Sequence, residues 1–202
     1  MVLLFLLALV SNPGLCFAEQ PKEVLQDGIE KALRILEDPV YQNDGQKASQ
    51  LRELEAVLRQ LFDFKEFSRR VLASKNKEFT PKQRSEFSRA FAQFLSNFYL
   101  RQVQKRYQNE QVIVLSQKIV SDSKATVNII IQTKGIEIPV KVWMTNRSRR
   151  WKTYNIHIMG ISAVKFYRTQ IHALLQKKSP EQLIQELKDR VEGQKKLAQR
   201  QS

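Results

Sequence analysis

The sequence predicts an α+β domain, and three observations predict it. Apolar residues recur at helical spacing from about residue 20 to 107, at a period of two from Gln111 to Ile158, and at helical spacing again to the end. The period-two segments are joined by short connections, which predicts a curved antiparallel sheet of four strands built as a meander. No internal repeat and no linker-like stretch divides the chain, so the helices before and after the strands are expected to pack on that one sheet. Six Gly, six Pro and 42% apolar residues exclude collagen-like, low-complexity and wholly disordered chains.

Residues 1–18 are expected to be a signal peptide, with a single domain over 19–202. Val2 to Val10 is apolar throughout, Asn12-Pro13-Gly14 breaks the run, and Cys16 and Ala18 put small residues at −3 and −1 before Glu19. The apolar run is too short to anchor the chain across a bilayer. Leu15 directly before Cys16 argues against lipid attachment, which favours a small residue there. The expected mature chain contains no cysteine, so disulfides, thiol chemistry and Cys-containing zinc sites drop out, and no cofactor is expected. Export also directs the net charge of +14 towards an anionic membrane surface rather than nucleic acid.

The elements follow in order. Val24, Ile29, Leu33 and Leu36 predict a helix over 20–37 that ends before Pro39, and 40–46 reads as a loop. Residues 47–73 read as two helical pieces, one carrying Leu51, Leu54, Leu58 and Leu61, the next Phe64, Phe67 and Val71. Thr80-Pro81-Lys82-Gln83 is a capping box with Pro at the first helical position, opening a long helix to about Tyr107. Strands are expected over 111–121, 124–133, 136–145 and 151–158, with an edge position or a bulge at Pro139, which has no N–H. A helix from about Ser162 to Gln176 follows Gly160. Ser179-Pro180-Glu181-Gln182 then starts a last helix, expected to fray at Glu192-Gly193.

Both prospective walls of the interior are strongly apolar. Period two places Val127, Ile129 and Ile131 on one face, as it does Ile136, Ile138, Val140, Val142 and Met144, and Tyr154, Ile156 and Ile158. Eight of the nine Phe residues after Ala18 fall between Phe62 and Phe98, and Phe87, Phe91, Phe94 and Phe98 form one helical stripe with Leu95 and Tyr99 beside it. Two readings stand: the walls pack on each other as plain core, or they stand apart around a ligand cavity. Periodicity alone does not separate them.

The runs FDFKEFSRRVLASKNKEFTPKQRSEFSRAFAQFLSNFYL (62–100) and PVKVWMTNRSRRWKTYNIHIMGISAVKFYRTQI (139–171) resemble the MlaC family, the toluene-tolerance auxiliary proteins. The most specific part is Trp151, Lys152, Tyr154, Ile156, Gly160, Ile161 and Ser162, followed by Tyr167, Arg168 and Gln170. The chain departs from the family's usual residues at Asn155, Phe166 and Ile171, and has no Gly in the turn from Asn146 to Arg150. The resemblance implies a cone-like, nuclear-transport-factor-like fold whose apolar cavity holds phospholipid acyl chains. It implies a monomeric periplasmic carrier in the maintenance of outer-membrane lipid asymmetry. Its partners would be an outer-membrane lipoprotein–porin complex and an inner-membrane MCE-domain ABC transporter. With the inward parities, it makes Phe67, Phe91, Phe94, Leu95, Phe98, Tyr99 and Tyr167 the helical lining of that cavity. The sheet lining would be Val127, Ile129, Ile131, Val140, Val142, Met144, Tyr154, Ile156 and Ile158.

Arg147, Arg149, Arg150 and Lys152 form a dense basic patch at one hairpin. Together with Arg168 they are candidates for head-group contact or docking, because Arg pairs bidentately with phosphate. Two rival functions fit the sequence less well. A cone-fold isomerase-like enzyme needs an acid or base in its pocket, but Glu137 is the only acidic residue between Lys124 and Ile158 and falls on the outward parity. His157 and His172 have no acidic neighbour in sequence. A nucleic-acid binder would use the basic charge with exposed aromatics, whereas these aromatics lie on inward stripes. The expectation is therefore a lipid carrier and not an enzyme.

Overall fold

The structure, a computed structural model, describes residues 19–147 and 149–199. The expected leader, with Cys16, lies outside the described residues. Helix α1 (Pro21–Glu37) opens on a capping box between Gln20 and Glu23 with Pro at its first turn. Two 3-10 turns, Pro39–Gln42 and Asp44–Gln46, fill the stretch read as a loop. The two expected helical pieces are α2 (Lys47–Leu61) and α3 (Phe64–Leu72). The chain turns between them because Asp63 caps α3, its carboxylate accepting the Glu66 N–H at 2.9 Å. α1 crosses α2 so closely that a Cβ on Gly28 would lie 2.7 Å from Leu61 Cγ. Helix α4 (Pro81–Arg106) starts at its expected cap: Thr80 Oγ1 accepts the Gln83 N–H at 3.2 Å, and the Gln83 side chain accepts the Thr80 N–H at 2.7 Å.

The strands β1 (Gln111–Ser121), β2 (Lys124–Thr133), β3 (Ile136–Arg147) and β4 (Arg150–Ile158) form the expected antiparallel meander. A fifth strand, β5 (Ile161–Ser162), pairs with the end of β4, and two residues are too few to leave a period in the sequence. The register places Val142 between Val127 and Ile156, and Val140 between Ile129 and Ile158, so the apolar parities share one face. Pro139 lies in an interior strand, not at the edge of the sheet. Its carbonyl accepts the Met159 N–H at 3.0 Å, just past the last β3–β4 pair. Since the N–H and C=O of one residue point to the same side of a strand, its missing N–H breaks no ladder bond.

One irregularity changes the parity of β4. Trp143 pairs with Asn155 but Met144 with Thr153, so Tyr154 is an extra residue and the strand bulges there. Beyond the bulge Thr153 and Trp151 turn inward, and both are buried.

Along β1, the outer edge of the sheet, Lys22 Nζ donates to the Leu115 carbonyl at 3.1 Å and the Lys22 N–H to Gln117 Oε1 at 2.9 Å. The register slips near Leu115 and again near Val120. After β5, α5 (Ala163–Leu175) is capped by Ser162, and α6 (Pro180–Gln199) starts at Ser179. α6 does not fray at Gly193. Buried Val191 anchors that turn, and Lys195 pairs with Glu192 at 2.8 Å.

The buried apolar residues form two clusters. Helices α3 to α6 make one, around Phe67, Phe87, Phe91 and Leu183. The sheet makes the other with Leu25 of α1, around Val127, Val140, Val142, Met144 and Trp151. α4 packs chiefly on α6 and α3, while α1 covers β1 and β2, and α2, α3 and α5 meet β4.

Candidate functional site

The sequence placed a single pair of walls face to face; the structure distributes their residues over the two clusters and the seam between them. On the sheet, Val127, Ile129, Val140, Val142 and Met144 are buried, Ile131 and Ile156 are half-buried against them, and Ile158 is exposed. On the helices, Phe67, Phe91 and Leu95 are buried, and Phe94 and Tyr167 are half-buried beside them. Tyr154, 5% exposed, belongs to neither cluster, and the Arg70 guanidinium lies 4.0 Å over its ring. The seam is the boundary between these two clusters, whose half-buried members include Phe94 and Tyr167 on the helical side and Ile131 and Ile156 on the sheet side.

An exposed aromatic rim joins α4 to α5. Phe98 is 45% and Tyr99 47% exposed, although both are large rings. Phe94 and Phe98 stack at 6.5 Å, Phe98 and Tyr99 meet edge-on at 5.1 Å, and the hydroxyls of Tyr99 and Tyr167 are 2.6 Å apart. Exposed Phe166 extends the row against Tyr167 at 5.1 Å. Burial, then the hydrogen bond with Tyr99, raises the Tyr167 pKa, so the Tyr167 hydroxyl stays neutral. Exposed aromatic patches of this kind mark interaction sites on a folded domain. Phe91, Phe94 and Tyr167 also border a cleft of about 50 Å³ between α4, α5 and α6, far too small for an acyl chain.

The five basic candidates divide in the structure. Arg147 is an ion-pair partner rather than a free docking group: it donates to Glu66 Oε2 at 2.8 Å. Arg168 donates twice to the Arg70 carbonyl, at 2.8 and 3.2 Å, and Lys152 Nζ to the Arg59 carbonyl at 3.2 Å, so both cap helix ends. Arg149 and Arg150 are exposed with no partner among the described residues, Arg149 holding a left-handed φ of 61° in the turn. Sequence reasoning missed Glu66, which binds Arg69 and Arg70 as well as Arg147. The two local spacings were visible, but the third partner is 81 residues away.

The histidines are tied to structural partners. The His157 ring meets Asn155 Nδ2 at 3.0 Å, and burial, then Lys141 and Lys165, lower its pKa. His172 Nε2 lies 2.8 Å from the Leu72 carbonyl. Asn155 serves through Oδ1, which accepts the Val164 N–H at 3.0 Å at the start of α5. Among the described residues no three His, Cys, Asp or Glu side chains gather to hold a metal, and no helix is long and apolar enough to cross a membrane.

A larger groove of about 600 Å³ lies between α3 and α4 and contains no sheet residue.

Comparison with known proteins bears on these features. No curated protein matches the chain significantly. Among solved structures, a phospholipid-binding protein from Ralstonia solanacearum in complex with a phospholipid superposes with a TM-score of 0.72. The match covers 87% of this chain and 98% of that one at 16% identity, so it shows a shared fold. The family model described as MlaC protein matches residues 26–189, which takes in α2 to α5, the entire sheet, most of α1 and the first half of α6; the chain belongs to the MlaC family.

Proposed function

We propose that this protein is a periplasmic phospholipid carrier, holding acyl chains in the seam between its helical and sheet clusters. The observation that carries the reading is the divided core: two apolar masses in one domain, with an exposed aromatic rim where the helical one ends. Membership of the MlaC family supports it, as does a fold shared with a protein solved with phospholipid bound.

The energetics suit a carrier. Each CH₂ removed from water gains about 0.8 kcal/mol, so two acyl chains gain on the order of 20 kcal/mol and free lipid in water is negligible. Transfer from a bilayer to an apolar seam changes little, so the lipid can enter and leave. Direction must then come from the complexes at either end: an outer-membrane lipoprotein–porin complex and an inner-membrane MCE-domain ABC transporter. Binding, not catalysis, is the activity, and the exposed Arg149-Arg150 turn is the part of the basic patch left for docking.

Native mass spectrometry of the purified protein, with organic extraction, tests this reading. Phospholipid should copurify, and Phe94→Asp should stay folded and lose it, because the new carboxylate would face acyl chains. A folded Phe94→Asp variant with its full complement of lipid would refute the seam as the site.

A further inference from the structure

We propose that the groove between α3 and α4 is a second binding site, for a phosphate-ester amphiphile, separate from the seam. At about 600 Å³ it is the size of a pocket for one small ligand. A partner helix, about 10–12 Å across with its side chains, would not fit.

The rim is cationic. Arg59, Lys65, Arg69, Arg84 and Arg89 line the groove, and among the described residues no Asp or Glu lines it with them. Glu55 pairs with Arg59, and Glu66 pairs with Arg69. The other three have no counter-charge: Arg84 donates to the Asn76 carbonyl at 3.1 Å, and Lys65 and Arg89 have no partner among the described residues. Like charges converging in a concave site favour an anion there, and guanidinium forks match phosphate oxygens in shape. The floor is different in kind. Phe64, Leu72 and Ala92 present apolar surface that an inorganic ion would leave uncovered and a short hydrocarbon stem would cover.

Ser68 points to the same ligand independently. It lines the groove, is only 2% exposed, and its Oγ has no hydrogen-bond partner among the described residues. A helical serine ordinarily bonds the carbonyl four residues earlier, but Ser88 Oγ donates to that carbonyl, Phe64 O, at 3.3 Å. A buried hydroxyl without a partner is costly, and one staggered rotation offers it to a ligand oxygen on the floor.

The test is calorimetric titration of the purified protein, carrying its copurified lipid, with dihexanoyl-phosphatidylglycerol below its micellar concentration. One equivalent should bind. Arg84→Gln/Arg89→Gln should weaken binding at least tenfold and Ser68→Ala severalfold, while native mass spectrometry shows the copurified phospholipid unchanged. Arg89→Gln alone breaks no hydrogen bond or ion pair among the described residues, and so tests the site with little effect on the fold. Absence of binding, or unchanged affinity in Arg89→Gln, overturns the proposal. So does equal affinity for inorganic phosphate, which would leave the apolar floor without a role, or for a hexaglutamate peptide, which would make the groove a protein-docking site. Loss of the copurified lipid together with the probe would merge the two sites and overturn the second. The titration reads the groove whether or not the seam holds lipid.

Discussion

At Glu66 a carboxylate only 2% exposed accepts from Arg69, Arg70 and Arg147 at 2.7 to 2.8 Å. Burial alone would raise its pKa, but the hydrogen bond and charge of Arg69, and then those of Arg70, override it and lower the value to about 2. A pKa below that of the unfolded chain means the folded state holds the ionised form more tightly. The resulting stability is complete above about pH 4.5 and disappears as pH falls towards 2. Glu66→Gln should therefore cost about 2 to 3 kcal/mol at pH 7, less than for a fully buried cluster because the released arginines rehydrate. In urea titrations at falling pH, the gap between wild type and variant should close below pH 4.5. A constant gap would show that the carboxylate charge is not what counts. The sequence showed Arg147 as one of a basic run, and nothing local in it marks a partner 81 residues away.

Among the elements, the helix starts were the most legible, because caps are local chemistry. Thr80 and Gln83 satisfy each other's backbone N–H groups at the head of α4, so Thr80→Ala should cost about 1 kcal/mol, measurable as a lowered urea midpoint with an unchanged m-value. Strand positions were legible for the same reason, since alternation is read residue by residue. The bulge at Tyr154 was not: it inserts one residue without changing composition, and so hid the inward turn of Trp151 and Thr153. The close crossing of α1 and α2 was equally invisible, since a glycine in a helix does not announce what lies opposite. Gly28→Ala should destabilise by about 1 to 3 kcal/mol through overpacking against Leu61, and Gly28→Ala/Leu61→Ala should recover less than additively.

Across the whole molecule, the apolar lining was legible as apolar, but its division into two clusters depends on contacts between elements that no period encodes. That division separates two substitutions of the same kind. Val142→Asp, deep in the sheet cluster, should unfold the protein, whereas Phe98→Asp on the exposed rim should leave its melting curve nearly unchanged and reduce copurified phospholipid. Arg149→Ser/Arg150→Ser should weaken attachment to anionic vesicles in low salt, where screening is least, without loss of stability. The attachment of Lys22 to β1 has a consequence for life at high concentration. An eleven-residue outer strand with exposed Leu115, Ile119 and Val120 is a template for pairing with another copy. Lys22 occupies one of its carbonyls and places a charge beside it, while the two register slips spoil its straightness. Lys22→Ala should make the protein self-associate as its concentration rises, seen as a growing mass in light scattering, while the dilute protein keeps its fold. The first turn of α1 thus guards the sheet against fibre-like stacking.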